Sequence, residues 1–189
     1  EPPEQFAPAQ PPPRTWETCM TLNESWGYNP ADAAWKSPRQ VVHTLCEVAG
    51  RGGNLLLNVS PMGDGTIMPE QRAILGAMQR WLAANGASIV GTEPGLEPWQ
   101  FYGPSTRRGS VTYHHLLMRP YESVTVRGVP IKRVKKVTVL ATGQELAFAT
   151  RCAIVDSWFN KDPKGEVVIT VPEDAVDSLT TVLSVEWAE

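Results

Sequence analysis

The sequence predicts an α/β segment followed by an all-β segment, and three observations carry that reading. Two stretches before Gly91 place apolar residues at helical spacing: Val41, Val42, Leu45 and Val48 in one, Ile74, Leu75, Met78, Trp81 and Leu82 in the other. Between them runs Asn54-Leu55-Leu56-Leu57-Asn58-Val59, continuously apolar in the manner of a parallel strand covered on both faces. After the linker-like zone of Pro94, Gly95, Pro98, Gly103 and Pro104 the helical period does not return. Short runs separated by turn formers follow, which suits an antiparallel β-sandwich.

Taken in order, Glu1 to Arg14 is rich in proline and reads as loop or extended chain, because proline fixes φ and removes a backbone donor. Trp16 to Leu22 is β-branched and aromatic enough for a strand, and the turn formers from Asn23 to Pro30 break it. Ser37-Pro38 has the form of an N-cap with proline at the first helical position, and Gly50 is expected to end that helix. A second helix is expected from near Pro69, with Asn85-Gly86 as a left-handed cap. Strand, helix, strand, helix suits a parallel α/β sheet or barrel, although two such units cannot close a barrel alone.

Further strands are expected over Ser110 to Met118, Ser123 to Val126, Val134 to Leu140, Glu145 to Thr150, Glu166 to Val171 and Thr180 to Trp187. Alternation is clearest in Val167, Ile169 and Val171 and in Val137 and Val139. Each strand is therefore expected to have one core face and one wet face.

Composition excludes several classes of function. Lys and Arg number 17 against 20 Asp and Glu, so no strong field draws nucleic acid or an anionic membrane, and neither is expected as a partner. Cys19, Cys46 and Cys152 are too few and too far apart for a Cys-x-x-Cys zinc site, cannot all pair internally, and read as buried thiols. No apolar run approaches the roughly 20 residues of a membrane span. The opening Glu1-Pro2-Pro3 has no initiator Met and no basic-then-apolar leader, so a longer parent protein is expected.

Trp16-Glu17-Thr18-Cys19-Met20-Thr21-Leu22-Asn23-Glu24-Ser25-Trp26-Gly27-Tyr28 closely resembles the α-L-fucosidases of glycoside hydrolase family 29. Gly52 to Pro61, Asp64-Gly65-Thr66-Ile67 and Trp81 to Gly86 match that family in the same order. The resemblance implies the C-terminal part of a (β/α)8-like catalytic barrel with linker over residues 1–103, followed by an antiparallel β-sandwich over residues 104–189. It also implies an exo-acting, retaining hydrolase of terminal α-L-fucose with no cofactor. Family members carry their nucleophilic Asp on an earlier strand, to which no residue here can be matched, so this chain alone is expected to be inactive.

A retaining glycosidase needs one carboxyl group to attack the anomeric carbon and another to protonate the departing oxygen. Pro3-Glu4-Gln5 resembles the segment carrying the general acid/base in many family members, although the family often has Thr-Pro-Glu where this chain has Pro-Pro-Glu. Glu4 is the first candidate for the proton donor, and Glu17 the alternative, or a residue that hydrogen-bonds sugar or fixes a loop. Trp26 and Tyr28 follow the first strand, where barrel enzymes build their sites, and the resemblance implies that they contact the sugar. Asn58 and Ser60 end the second strand on the same side, as wall or loop caps.

Asn23-Glu24-Ser25 and Asn58-Val59-Ser60 match the glycosylation pattern but read as chance matches at a barrel mouth. His43 with Glu47 and the adjacent His114 and His115 read as structural, with no metal expected, since neighbours in a strand face opposite ways. The basic run Lys132, Arg133, Lys135 and Lys136 reads as a solvated strand edge.

The expected partner is a fucosylated oligosaccharide or glycoconjugate, with an N-terminal barrel half or a second copy as possible protein partners. Secretion or a periplasmic location is inferred from the family. The competing reading, a non-catalytic carbohydrate-binding or structural β-sandwich module, draws on Trp99, Phe101, Tyr113, Tyr121, Trp158 and Phe159.

Overall fold

The computed structural model describes residues 5–189. Its order is β1 (Glu17–Thr21), α1 (Pro38–Gly50), β2 (Asn54–Asn58), α2 (Pro69–Asn85), β3 (Glu93–Pro94), β4 (Ser105–Arg108), β5 (Val111–Leu116), β6 (Ser123–Pro130), β7 (Val134–Val139), β8 (Phe148–Arg151), α3 (Ile154–Phe159), β9 (Lys164–Thr170) and β10 (Thr181–Trp187). The predicted change of texture is real: β1 and β2 pair in parallel, whereas every later pairing is antiparallel.

Helix α1 starts where the sequence requires. Ser37 Oγ accepts from the Gln40 backbone N–H at 3.2 Å, the Gln40 side chain accepts from the Ser37 N–H at 2.7 Å, and Pro38 occupies the first turn. This reciprocal bonding satisfies donors that have no partner inside the helix. Its end lies later than expected. Gly50 is still helical, and the left-handed residue is Gly52 at φ +73°, from which the chain turns with Gly53 N–H donating to Val48 O at 2.9 Å. Gly53 is needed for another reason: a Cβ there would fall 2.4 Å from the Trp16 ring. The Gly-Gly-Asn motif thus combines a left-handed turn with a close approach that only glycine permits.

Helix α2 buries Ile74, Met78 and Trp81 as expected. The predicted left-handed cap is overturned: Gly86 has φ −58° and opens a 3-10 turn over Gly86–Ser88. The helical sense persists because Ile89 and Val90 both donate to the Gly86 carbonyl, and Ser88 Oγ donates to Asn85 O.

Two apolar clusters organise the layers. One joins β1, α1 and α2 (Met20, Val42, Ile74, Trp81) to Tyr113 of β5 and Val182 of β10. The other lies between the five-stranded sheet β3-β4-β5-β10-β7 and the three-stranded sheet β6-β9-β8, with Leu183 and Val185 facing Val126 and Ile169. The five-stranded sheet therefore has helices over one face and a second sheet over the other. This overturns the expected wet face of β10, where Thr181 through Val185 are all buried. Buried bonds fasten the helical layer: Trp81 Nε1 donates to Thr180 O at 2.8 Å and His43 Nε2 meets Leu179 O at 3.0 Å.

Strand β2 is covered on one face within this chain. Met20, Leu55 and Leu57 turn toward the helices, but Leu56 on the other face is 46% exposed, because the parallel sheet has two strands and only one covered face. Among the described residues no closed barrel forms. The linker-like zone also hides β3 and β4, since Ser105-Thr106-Arg107-Arg108 has no apolar alternation to betray a strand. The strand expected from Glu145 begins at Phe148, and Glu145 contributes only an isolated bridge to Thr138. Helix α3 was not foreseen.

Candidate active site

The chain runs from β1 through a loop into α1 and returns along β2 parallel to β1, so the loops after both strands and the first turn of α1 lie at one edge of the sheet. The loop from Leu22 to Lys36 closes on itself, with Lys36 N–H donating to Leu22 O at 2.9 Å. Asp32 organises its interior: Oδ2 accepts from Glu24 N–H at 3.0 Å and Ser25 Oγ at 2.7 Å, and Oδ1 accepts from Ala34 N–H at 3.0 Å. The Ser25 hydroxyl and then the Ala34 amide hold the Asp32 carboxyl below its ordinary value. Lys36 Nζ donates to Asn23 O at 2.7 Å, tying the loop base.

This knitted loop presents Trp26 and Tyr28, which are 46% and 43% exposed. The Trp26 carbonyl accepts from Asn58 Nδ2 at 2.8 Å and Ser60 Oγ at 3.3 Å, so the end of β2 grips the loop from β1. Ser60 is fixed in turn, its N–H donating to the Gln71 Oε1 of α2 at 3.1 Å. Trp26, Asn58 and Ser60 therefore come together as expected from their places after the strands.

Glu17 is elsewhere. It opens β1, opposite Asn54, at the end of the strand away from Trp26. Glu4 lies outside the described residues. The next residue, Gln5, donates its backbone N–H to Cys19 O at 2.7 Å, and Thr18 Oγ1 donates to Phe6 O at 2.8 Å, so the stretch from Gln5 follows β1.

Sequence reasoning missed Asp32, Lys36 and Gln71. Asp32 could have been suspected as the turn-forming carboxylate two residues after Asn29-Pro30. Gln71 left a clearer mark, a polar residue in register with Ile74 and Met78 on the buried stripe of α2.

The remaining candidates are structural in their surroundings. His114 and His115 are fully buried, His114 against Thr112 Oγ1 at 3.0 Å and edge-on to Phe101, His115 bridging Pro104 O and Ser88 Oγ at 3.1 Å each. Loss of solvation pushes them down to about 3 and about 4, so both are neutral at ordinary pH. Among the described residues no group of three or more His, Cys, Asp or Glu could hold a metal ion. The cysteines divide: Cys46 is buried, with its thiol pushed well up by desolvation, but Cys19 and Cys152 are half-buried, which corrects the reading of all three as buried. Cys19 lies on the uncovered face of β1 beside Leu56, and Cys152 follows the end of β8 outside any strand. The basic run stands beside edge strand β7, where Arg133 pairs with Asp162 at 2.6 Å and Lys136 with Glu145 at 3.6 Å. Of the aromatic residues that could form a sugar platform, Phe101 and Tyr113 are core, whereas Trp99, Tyr121, Trp158 and Phe159 are exposed. No helix among the described residues is long and apolar enough to cross a membrane.

Comparison with known proteins matches this arrangement. Residues 1–87 fit the family model for α-L-fucosidase. The tissue α-L-fucosidase of Homo sapiens is 29% identical over 179 residues, covering 90% of this chain and 36% of the human protein. The α-L-fucosidase of Branchiostoma floridae is 37% identical over 101 residues, covering 52% of this chain and 21% of that protein. Among solved structures, α-L-fucosidase isoenzyme 1 from Paenibacillus thiaminolyticus superimposes with a TM-score of 0.85 at 32% identity, over 99% of this chain and 44% of that one. The chain spans less than half the length of each of these relatives. It belongs, as a portion of such a protein, to the α-L-fucosidase family of glycoside hydrolases.

Proposed function

We propose that this chain is the C-terminal portion of a retaining α-L-fucosidase that removes terminal α-L-fucose from fucosylated glycans. The observation that carries the reading is Trp26, half-exposed at the strand-end edge of a parallel β-α-β unit and clamped there by Asn58 and Ser60. An indole at such an edge can pack on the apolar face and methyl group of a 6-deoxy sugar, with Tyr28 beside it. In this reading residues 1–103 complete a (β/α)8-like barrel with strands supplied from outside the chain, and residues 104–189 form a β-sandwich. The exposed face of Leu56 supports it, because a barrel stave has an interior side that other staves must cover.

Glu4 is the proton donor. The nucleophilic carboxylate, outside this chain, attacks the anomeric carbon while Glu4 gives its proton to the oxygen that leaves. Glu4 then takes a proton from water, which attacks the same carbon and frees the nucleophile. The position of Glu17 at the far end of β1 favours Glu4 over it. The glycan substrate class favours a secreted or periplasmic protein.

The test uses the longer protein. Glu4→Ala should lower turnover of fucosides with poor leaving groups by about 10²- to 10⁴-fold, and affect an activated aryl fucoside far less. Equal losses for both substrates would remove Glu4 from the role. Failure of the unaltered longer protein to release fucose from either would remove the activity.

A further inference from the structure

Beside the first turn of α1, two adjoining depressions of about 370 and 430 Å³ form one groove, sharing Arg119, Glu173 and Val176 as a common wall. Each is within the range of about 300–1,000 Å³ typical of small-ligand sites. Arg39 of α1 reaches into the first and donates to Leu117 O at 3.0 Å, which places the groove toward the same edge of the parallel sheet as the Trp26 loop.

The second depression is walled by Tyr121, 89% exposed. The backbone behind that ring is strained. Glu122 has φ +63°, a left-handed conformation that few residues other than glycine adopt, and Ser123 N–H donates across it to Tyr121 O at 2.7 Å. The turn is held from the residue after β9, Val171 N–H donating to Glu122 O at 2.8 Å. A large ring displayed in water on a strained, anchored turn is the kind of feature that structural economy alone does not explain. The polar groups of the groove are of both signs: Arg119, Glu122 and Glu173 beside the ring and Arg39 and Asp177 in the adjoining depression, with Arg119 and Glu173 ion-paired. Three carboxylates against two guanidinium groups give the groove donors and acceptors for a neutral ligand bearing many hydroxyls and an apolar face, and no net positive charge to draw an anion.

We propose that the groove is a carbohydrate subsite, with Tyr121 as its stacking platform, that holds sugar units of the glycan beyond the fucose. The proposal rests on the fucosidase reading for its choice of ligand. Calorimetric titration of the longer protein with lactose, which lacks fucose, and of its Glu4→Ala variant with fucosyllactose, tests it. Both sugars should bind saturably, Tyr121→Ala should weaken lactose about tenfold, and Trp26→Ala should leave lactose binding unchanged. Glu173→Gln, which keeps the side-chain shape, should weaken lactose to a smaller extent. Absence of saturable lactose binding, or lactose binding that survives Tyr121→Ala or is lost with Trp26→Ala, overturns it. A simple aryl fucoside has no further sugar to place, so its hydrolysis by the longer protein should be indifferent to Tyr121→Ala. Hydrolysis with no lactose binding would therefore sink the subsite and leave the fucosidase reading standing.

Discussion

Within this chain, strands β2 and β10 differ in how much cover their neighbours supply. Leu55-Leu56-Leu57 reads as a strand with no solvent face, yet Leu56 is half-exposed; Thr181 to Val185 contains polar residues and reads as half-wet, yet all five are buried. The reason is what lies over each. Strand β10 sits between a second sheet and two helices, and its Thr181 and Ser184 are tolerated inside because small hydroxyls can find partners there; Thr181 Oγ1 accepts from Asp177 N–H at 2.7 Å. Within this chain strand β2 has helices on one side, and its other side is the one that strands from outside the chain cover in the proposed barrel. Apolar character records the environment a strand is suited to, and neighbouring elements decide how much of it is supplied.

The sharpest attempt to break this contrast is a matched truncation. In the 189-residue chain, Leu183→Ala in the middle of β10 should destabilise by about 2–5 kcal/mol, whereas Leu56→Ala, without the outside strands that cover it in the proposed barrel, should cost less than about 1 kcal/mol, as read by urea denaturation. Equal costs would mean that β2 is as enclosed as β10 in solution.

A second effect belongs to β5, the neighbour of β10. His114 and His115 are held neutral by burial, down to about 3 and about 4, below the ordinary value of 6.5. Between these values the unfolded chain binds protons that the folded chain refuses. Stability is therefore intact above about pH 6.5 and declines as the pH falls toward 4, by an amount on the order of a few kcal/mol. His114→Phe, which keeps a ring beside Phe101, should remove part of that slope. A melting temperature that does not change between pH 7 and pH 4.5 would contradict the burial of both rings.

The smallest effect sharpens the other side of the comparison. Gly53→Ala should cost about 1–3 kcal/mol by driving a methyl group into the Trp16 ring at the start of β2. Pairing it with Trp16→Leu should recover part of that loss. Without such recovery, the close approach is not the reason for glycine at that position.

Much of the local structure was legible in the chain. The capping box at Ser37 and Gln40, the stripe of Ile74, Met78 and Trp81, and the β-branched runs of β9 and β10 are set by interactions between residues a few positions apart, or by periodicities that survive in any context. The grouping of Trp26 with Asn58 and Ser60 was also readable, because parallel strands deliver their following loops to one edge. The failures share a different cause. Strand β4 has no apolar alternation, so only its pairing with β3 and β5 makes it a strand. Gly86 carries no conformation of its own and follows whichever hydrogen bonds the continuing chain offers. Asp32 and Lys36 acquire their roles from carbonyls, amides and a hydroxyl brought near by the closed loop.

By itself the sequence determined the succession of a parallel β-α-β-α segment and an antiparallel one, the main helix starts, and the motif that marks the fucosidase family. Only the tertiary structure decided that helices would cover the second face of β10, and that Tyr121 would stand at the lip of a groove. Hydrogen bonding and periodicity act over a few residues and are written into the order of the chain. Burial depends on which distant surfaces meet, and no short stretch of sequence contains that information.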